Sequence, residues 1–176
     1  MIALAALVVA MSNDPPKPDK DGRFDAKQFA GIVLDDKAAV KTGEWTATTE
    51  RKPYVGEGSL HDGGKNRGQA RVRWTPTIPT AGRYRVKLVF APSADLSTKT
   101  KVVLFTPVGA TNIEINQRSP GKEGPAYLLG VFRIPAGKKS WLEVTNGGAD
   151  GVVVADAVIF EPVPMNPSER SPSGRG

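Results

Sequence analysis

Three side chains close together could do hydrolytic chemistry: Ser59, His61 and Asp62, in the run Ser59-Leu60-His61-Asp62. A nucleophilic triad needs its serine on a sharp turn, a base within hydrogen-bond reach and an oxyanion hole. Four consecutive residues do not supply that by themselves. The preferred reading is a glycine-rich loop whose His61 and Asp62 bond to backbone, and independent hydrolysis is the least favoured function. A second group is acidic. Asp156 lies in the apolar run Gly151 to Phe160, where a buried carboxylate must be hydrogen-bonded, paired or metal-bound. Asp35 and Asp36 close the first strand. If the first and last strands are neighbours, these three carboxylates could hold a structural calcium ion, which takes several oxygen ligands. Pairing of Asp156 with backbone N–H groups or an arginine is the favoured alternative, so no cofactor is expected beyond that calcium option.

A third group is basic. Arg71 and Arg73 alternate with Val72 and Trp74, and Arg83, Arg85 and Lys87 alternate with Tyr84, Val86 and Leu88. If the two strands adjoin, a cationic stripe results that could hold an acidic polysaccharide. The competing reading is a solvated face that discourages edge pairing. Nucleic acid is not an expected partner, because no aromatic residues interleave the charges to stack on bases. A fourth group suits sugars, which take a ring platform plus amide or carboxylate hydrogen-bonders. Trp45, Tyr54, His61, Asp62, Asn116, Gln117 and Tyr127 lie at expected loops or strand ends, where a rigid sheet presents function. Each of the rings could instead plug the core.

These groups must be positioned by strands. Arg83 to Phe90 alternates cleanly, and Ala70 to Trp74, Lys101 to Phe105, Thr111 to Asn116, Leu128 to Ile134 and Trp141 to Thr145 follow the same period. Ile32 to Leu34 and Trp45 to Thr49 complete the front half, and Tyr54 to Asn66 reads as a long shaped loop. Gly151 to Phe160 is apolar on both alternating faces, so it belongs mid-sheet. No segment has a helical period. With 19 Gly and 15 Pro in 176 residues, the composition also suits short strands and turns. The reading is all-β: one antiparallel two-sheet β-sandwich of jelly-roll type, with flexible N- and C-terminal tails.

Residues 1–11 read as an apolar leader or truncated signal peptide, too short for a transmembrane span. Residues 12–30 read as a linker, 31–163 as the folded domain and 164–176 as a disordered tail. The formal net charge of +6 favours anionic partners. The absence of cysteine excludes disulfides, thiol catalysis and cysteine metal sites. The glycines from Gly56 to Gly68 do not follow the strand-turn-helix pattern of a nucleotide-binding loop.

Six pieces in order carry a family resemblance: GEWTATT (Gly43 to Thr49), YVGEGSLHDG (Tyr54 to Gly63), WTPTIPTAGRYRV (Trp74 to Val86), INQR (Ile115 to Arg118), LLGVFRIPAGK (Leu128 to Lys138) and ADGVVVADAVIF (Ala149 to Phe160). Together they resemble the golvesin C-terminal domain, also called the golvesin/xanthan lyase carbohydrate-binding-like domain. The resemblance implies a jelly-roll sandwich without an active site of its own, appended to secreted or envelope enzymes. The expected function is therefore a non-catalytic accessory module that binds a polysaccharide or cell-wall glycan, with the detached tail of a larger enzyme as one form it could take. A structural or protein-interaction domain supporting a partner enzyme, without sugar binding, is the alternative.

Overall fold

The computed structural model describes residues 15–65, 68–122 and 124–164. The leader expected at 1–11 lies outside them, as does all but the first residue of the C-terminal tail. Fourteen strands follow in order: β1 (Arg23–Phe24), β2 (Ile32–Asp35), β3 (Val40–Thr42), β4 (Thr46–Thr48), β5 (Tyr54–Val55), β6 (Ser59–His61), β7 (Arg71–Trp74), β8 (Gly82–Val89), β9 (Thr100–Thr106), β10 (Gly109–Ile115), β11 (Ala126–Ile134), β12 (Trp141–Thr145), β13 (Val154–Ala155) and β14 (Ala157–Pro162). The described helical turns are both 3-10, at Ala26–Gln28 and Asp36–Ala38.

Alternation built the two main layers. A five-stranded sheet runs β10-β9-β12-β7-β3 and a four-stranded sheet runs β11-β8-β14-β2. Their inward residues meet in one core. Val72, Trp74, Tyr84, Val86, Leu88, Val102, Leu104, Leu142, Val144, Val158 and Phe160 are all buried there. This is the expected β-sandwich of jelly-roll type. A small sheet, β13-β6-β4, and the parallel pair β1-β5 complete it.

The run from Gly151 to Phe160 is two strands, not one. Val154 and Ala155 pair with β6, then Ala157 to Pro162 insert between β8 and β2. Asp156 sits at the switch between the sheets. The second of these strands is indeed interior to its sheet. Val158 and Phe160 face the main core, while Ala157 and Ile159 face a second apolar cluster formed by Phe24, Phe29, Val33, Val55, Val89 and Ala126.

That second cluster alters the reading of 12–30 as linker. Arg23 and Phe24 pair with Tyr54 and Val55, and the Phe24 and Phe29 rings meet edge to face at 5.5 Å. A sheet that is apolar on its outer face needs a cover, and these two phenylalanines supply it. Two isolated aromatics in a charged, proline-bearing stretch give no period to read. The segment Tyr54 to Asn66 also differs from the loop expected, because it contributes the short strands β5 and β6.

Candidate functional site

The hydrolytic reading fails on geometry. Ser59 Oγ and His61 Nδ1 are both buried without a hydrogen-bond partner, so no proton relay joins them. Asp62 is turned elsewhere. Its Oδ1 accepts from the N–H groups of Gly64 (2.9 Å) and Val153 (2.8 Å), and its Oδ2 accepts from Asn146 Nδ2 (2.8 Å). Asn146 Oδ1 in turn accepts from the N–H groups of Gly68 (2.7 Å) and Ala70 (3.1 Å). The pair therefore ties Asp62, Gly64, Gly68 and Ala70 to the strand-end turn after β12. Asn146 is a residue that sequence reasoning missed, since nothing in a Thr-Asn-Gly-Gly turn distinguishes it.

Gln117 is another pin. Fully buried, it accepts from Thr100 Oγ1 (3.0 Å) and Val154 N–H (3.0 Å) and donates to Val154 O (2.7 Å). Three of its four hydrogen-bonding positions are used, two of them on Val154 of β13. The remaining sugar-site candidates do not form one surface. Trp45 is half-buried against the core, its indole N–H donating to Thr42 O at 3.1 Å. Tyr54 is buried beside Arg23. Tyr127 lies on edge strand β11 with its ring 6.0 Å from Phe90. Asn116 is exposed and its Oδ1 accepts from Arg118 N–H (2.9 Å). His61, Asp62 and Gln117 gather around the small sheet, with Trp45 just before β4, and Asp62 and Gln117 are each held by three side-chain hydrogen bonds. His61 is held below its usual pKa by burial, and secondarily by the Arg51 guanidinium, so its imidazole is neutral at pH 7.

The expected basic stripe is divided. β7 belongs to the five-stranded sheet and β8 to the four-stranded one, because residues 75–81 cross between layers. Carboxylates also pair with most of these cations. Glu143 lies 2.6 Å from Arg73 and 3.7 Å from Arg71. Glu161 lies 2.7 Å from Lys87 and 3.8 Å from Arg85. Arg73 also sits 4.0 Å above the Trp141 ring, whose other neighbour is Phe105, stacked at 5.1 Å. The alternation that placed the charges outward was sound; it cannot tell which sheet a strand joins.

The carboxylates Asp35, Asp36 and Asp156 influence one another. Asp156 is fully buried, and both of its oxygens receive the Val55 N–H at 3.2 and 3.0 Å. Burial drives its pKa well up, with the charges of Asp35 and Asp36 adding to the rise. Asp35 is raised to about 6, first by burial and then by Asp36. Gly56 makes room for Asp35. It has φ +70°, and a Cβ there would come within 2.6 Å of Asp35 Oδ2. Among the described residues, no three acids or imidazoles converge as a metal donor set. Asp156 turns both oxygens to the Val55 N–H, and burial raises the pKa of all three carboxyl groups.

Beside this trio lies a depression of about 450 Å³. It is lined by the Asp36–Lys37 turn, residues 47–50 of β4 and its following turn, and Glu57, Gly58 and Ser59. Lys37 and Glu57 form an ion pair there. Sequence reading missed it, because its residues come from three separated stretches.

A β-sandwich whose buried polar side chains tie its loops to its strands, with a depression beside the small sheet, has the architecture of a carbohydrate-binding-like module. The solved CBM35 module from Paenibacillus barcinonensis shares that fold, with a TM-score of 0.54 at 12% identity over 76% of this chain and 100% of that one. More specifically, the chain belongs to the Golvesin C-terminal domain family, whose model matches residues 32–162. Xanthan lyase of Bacillus sp. (strain GL1) is 34% identical over 140 residues, which are 76% of this chain and 15% of that protein. The solved structure of Paenibacillus xanthan lyase superposes with a TM-score of 0.70 at 30% identity, over 75% of this chain and 13% of that one. This chain thus spans a small fraction of the lyases it matches.

Proposed function

We propose that this chain is a non-catalytic accessory module that binds a polysaccharide or cell-wall glycan, outside the cell or at the envelope, next to a partner enzyme domain. The observation that carries the reading is kinship with one stretch of a polysaccharide lyase in a chain whose Ser59, His61 and Asp62 are not assembled for catalysis. Among the described residues, no helix is long and apolar enough to cross a membrane. A neutral glycan, or one read by hydrogen bonds, accords better with the site than an acidic one, because the basic stripe is split and ion-paired.

Affinity electrophoresis in gels containing xanthan or a neutral galactomannan tests the reading. The expected result is slower migration in at least one gel that persists at raised salt. Unchanged migration in every gel, with the protein folded, would favour a purely structural or protein-interaction role.

A further inference from the structure

Resting on the glycan-binding reading, the geometry points to where and what the module binds: the depression between β4, β6 and the Asp36–Lys37 turn takes the end of a neutral or amino-sugar chain, by hydrogen bonds rather than ring stacking. Four observations carry this. The depression, about 450 Å³, falls within the size range of small-ligand sites. Ser59 lines it, 2% exposed, with an Oγ that has no partner. A buried hydroxyl left unpaired is costly, and a ligand hydroxyl would offset that cost. Thr48 stands directly opposite Ser59 in the β4–β6 ladder, so the two side chains share a face. Thr48 Oγ1 already accepts from Glu50 N–H at 3.1 Å, which leaves its own hydrogen to donate.

The third observation extends the second. His61 follows Ser59 by one pleat on the same face of β6, and its Nδ1 is likewise buried and unpartnered. Spare capacity is thus concentrated along one strand face. The fourth is charge. Among the described lining residues, Asp36, Glu50 and Glu57 outnumber the cation Lys37, with Lys41 near Asp36 and Arg23 near Glu57 further out. Carboxylates accept from sugar hydroxyls and attract an ammonium, whereas a uronate would meet like charge. Among the described residues no aromatic side chain lines the site, so hydrogen bonds and not a flat ring platform would hold the sugar.

The test is backbone amide shift mapping on the whole chain, with methyl β-D-glucopyranoside, D-glucosamine and D-glucuronate as probes. The expected result is shifts confined to residues 36–37, 48–50 and 57–59 with the first two, and binding of glucuronate weaker by roughly tenfold or more. Glu50 is exposed, so Glu50→Lys tests charge without disturbing the fold. It should weaken glucosamine and narrow its lead over glucuronate. Ser59→Val should abolish the shifts while the melting temperature holds. If sugars shift residues elsewhere, or a polysaccharide retards the protein while these amides stay silent, the pocket is wrong and the glycan-binding reading stands. Equal binding of glucuronate overturns the assigned sugar class. Silence toward all three sugars together with unretarded migration removes both proposals.

Discussion

Two polar regions of this molecule lie on either side of the small β13-β6-β4 sheet and behave oppositely. Around Asp62, Asn146 and Gln117, each carboxylate or amide is buried and engaged several times over. On the other side, Ser59 Oγ and Asp35 Oδ1 are buried without a hydrogen-bond partner. The contrast separates frame from site. A side chain whose capacity is consumed inside the protein has nothing left to offer a ligand, while one buried with spare capacity is a cost that binding can relieve.

The largest effect should come from breaking the frame. Asp62→Ala leaves two backbone N–H groups and the Asn146 amide unpaired, and should cost roughly 3 to 5 kcal/mol in urea unfolding. Gln117→Leu, of similar volume, strands the Thr100 hydroxyl and both polar backbone groups of Val154. It should cost roughly 2 to 4 kcal/mol by the same measurement.

These residues also show what was legible in the sequence. The sandwich was readable because Tyr84, Val86 and Leu88 alternate with Arg83, Arg85 and Lys87, and inward residues of that kind can only meet another layer. Burial of Asp156 was readable because its neighbours are apolar on both sides. The roles of Asp62 and Gln117 were not, since a polar residue at a loop end looks the same whether it faces solvent or backbone. The division of the basic stripe was hidden because sheet assignment depends on a crossover, which leaves no local pattern. The depression was hidden for a related reason: a missing partner is a property of packing, not of any one residue.

A smaller effect sharpens the comparison on the site side. The folded-state pKa of Asp35, about 6, exceeds the ordinary 3.8, so the fold holds that proton more tightly than the unfolded chain does. Its contribution to stability is complete below the ordinary value and is lost as pH rises through about 6. Asp36 and Asp156, also raised by burial, act with the same sign. Asp95 and Asp150 are depressed by hydrogen bonds, from Arg51 and Thr98 respectively, and act only in more acidic solution. The melting temperature should therefore fall between about pH 4 and pH 6.5 in the native protein and fall less in Asp35→Asn. A parallel decline in both would remove Asp35 as the cause.

The smallest effect is the most telling. Ser59→Ala removes a hydroxyl that bonds to nothing, so stability should change by less than about 0.5 kcal/mol or rise slightly. A loss above about 1 kcal/mol would mean that Oγ has a structural partner, and would move Ser59 from the site to the frame.

The most direct measurement of the whole account is retardation in a polysaccharide gel together with unfolding free energy, taken for the native chain, Gln117→Leu and Ser59→Val. The predicted result is a crossed pattern: Gln117→Leu loses stability and keeps glycan retention while folded, and Ser59→Val keeps stability and loses retention. Retention lost in Gln117→Leu at temperatures where it is folded, and intact in Ser59→Val, would contradict it.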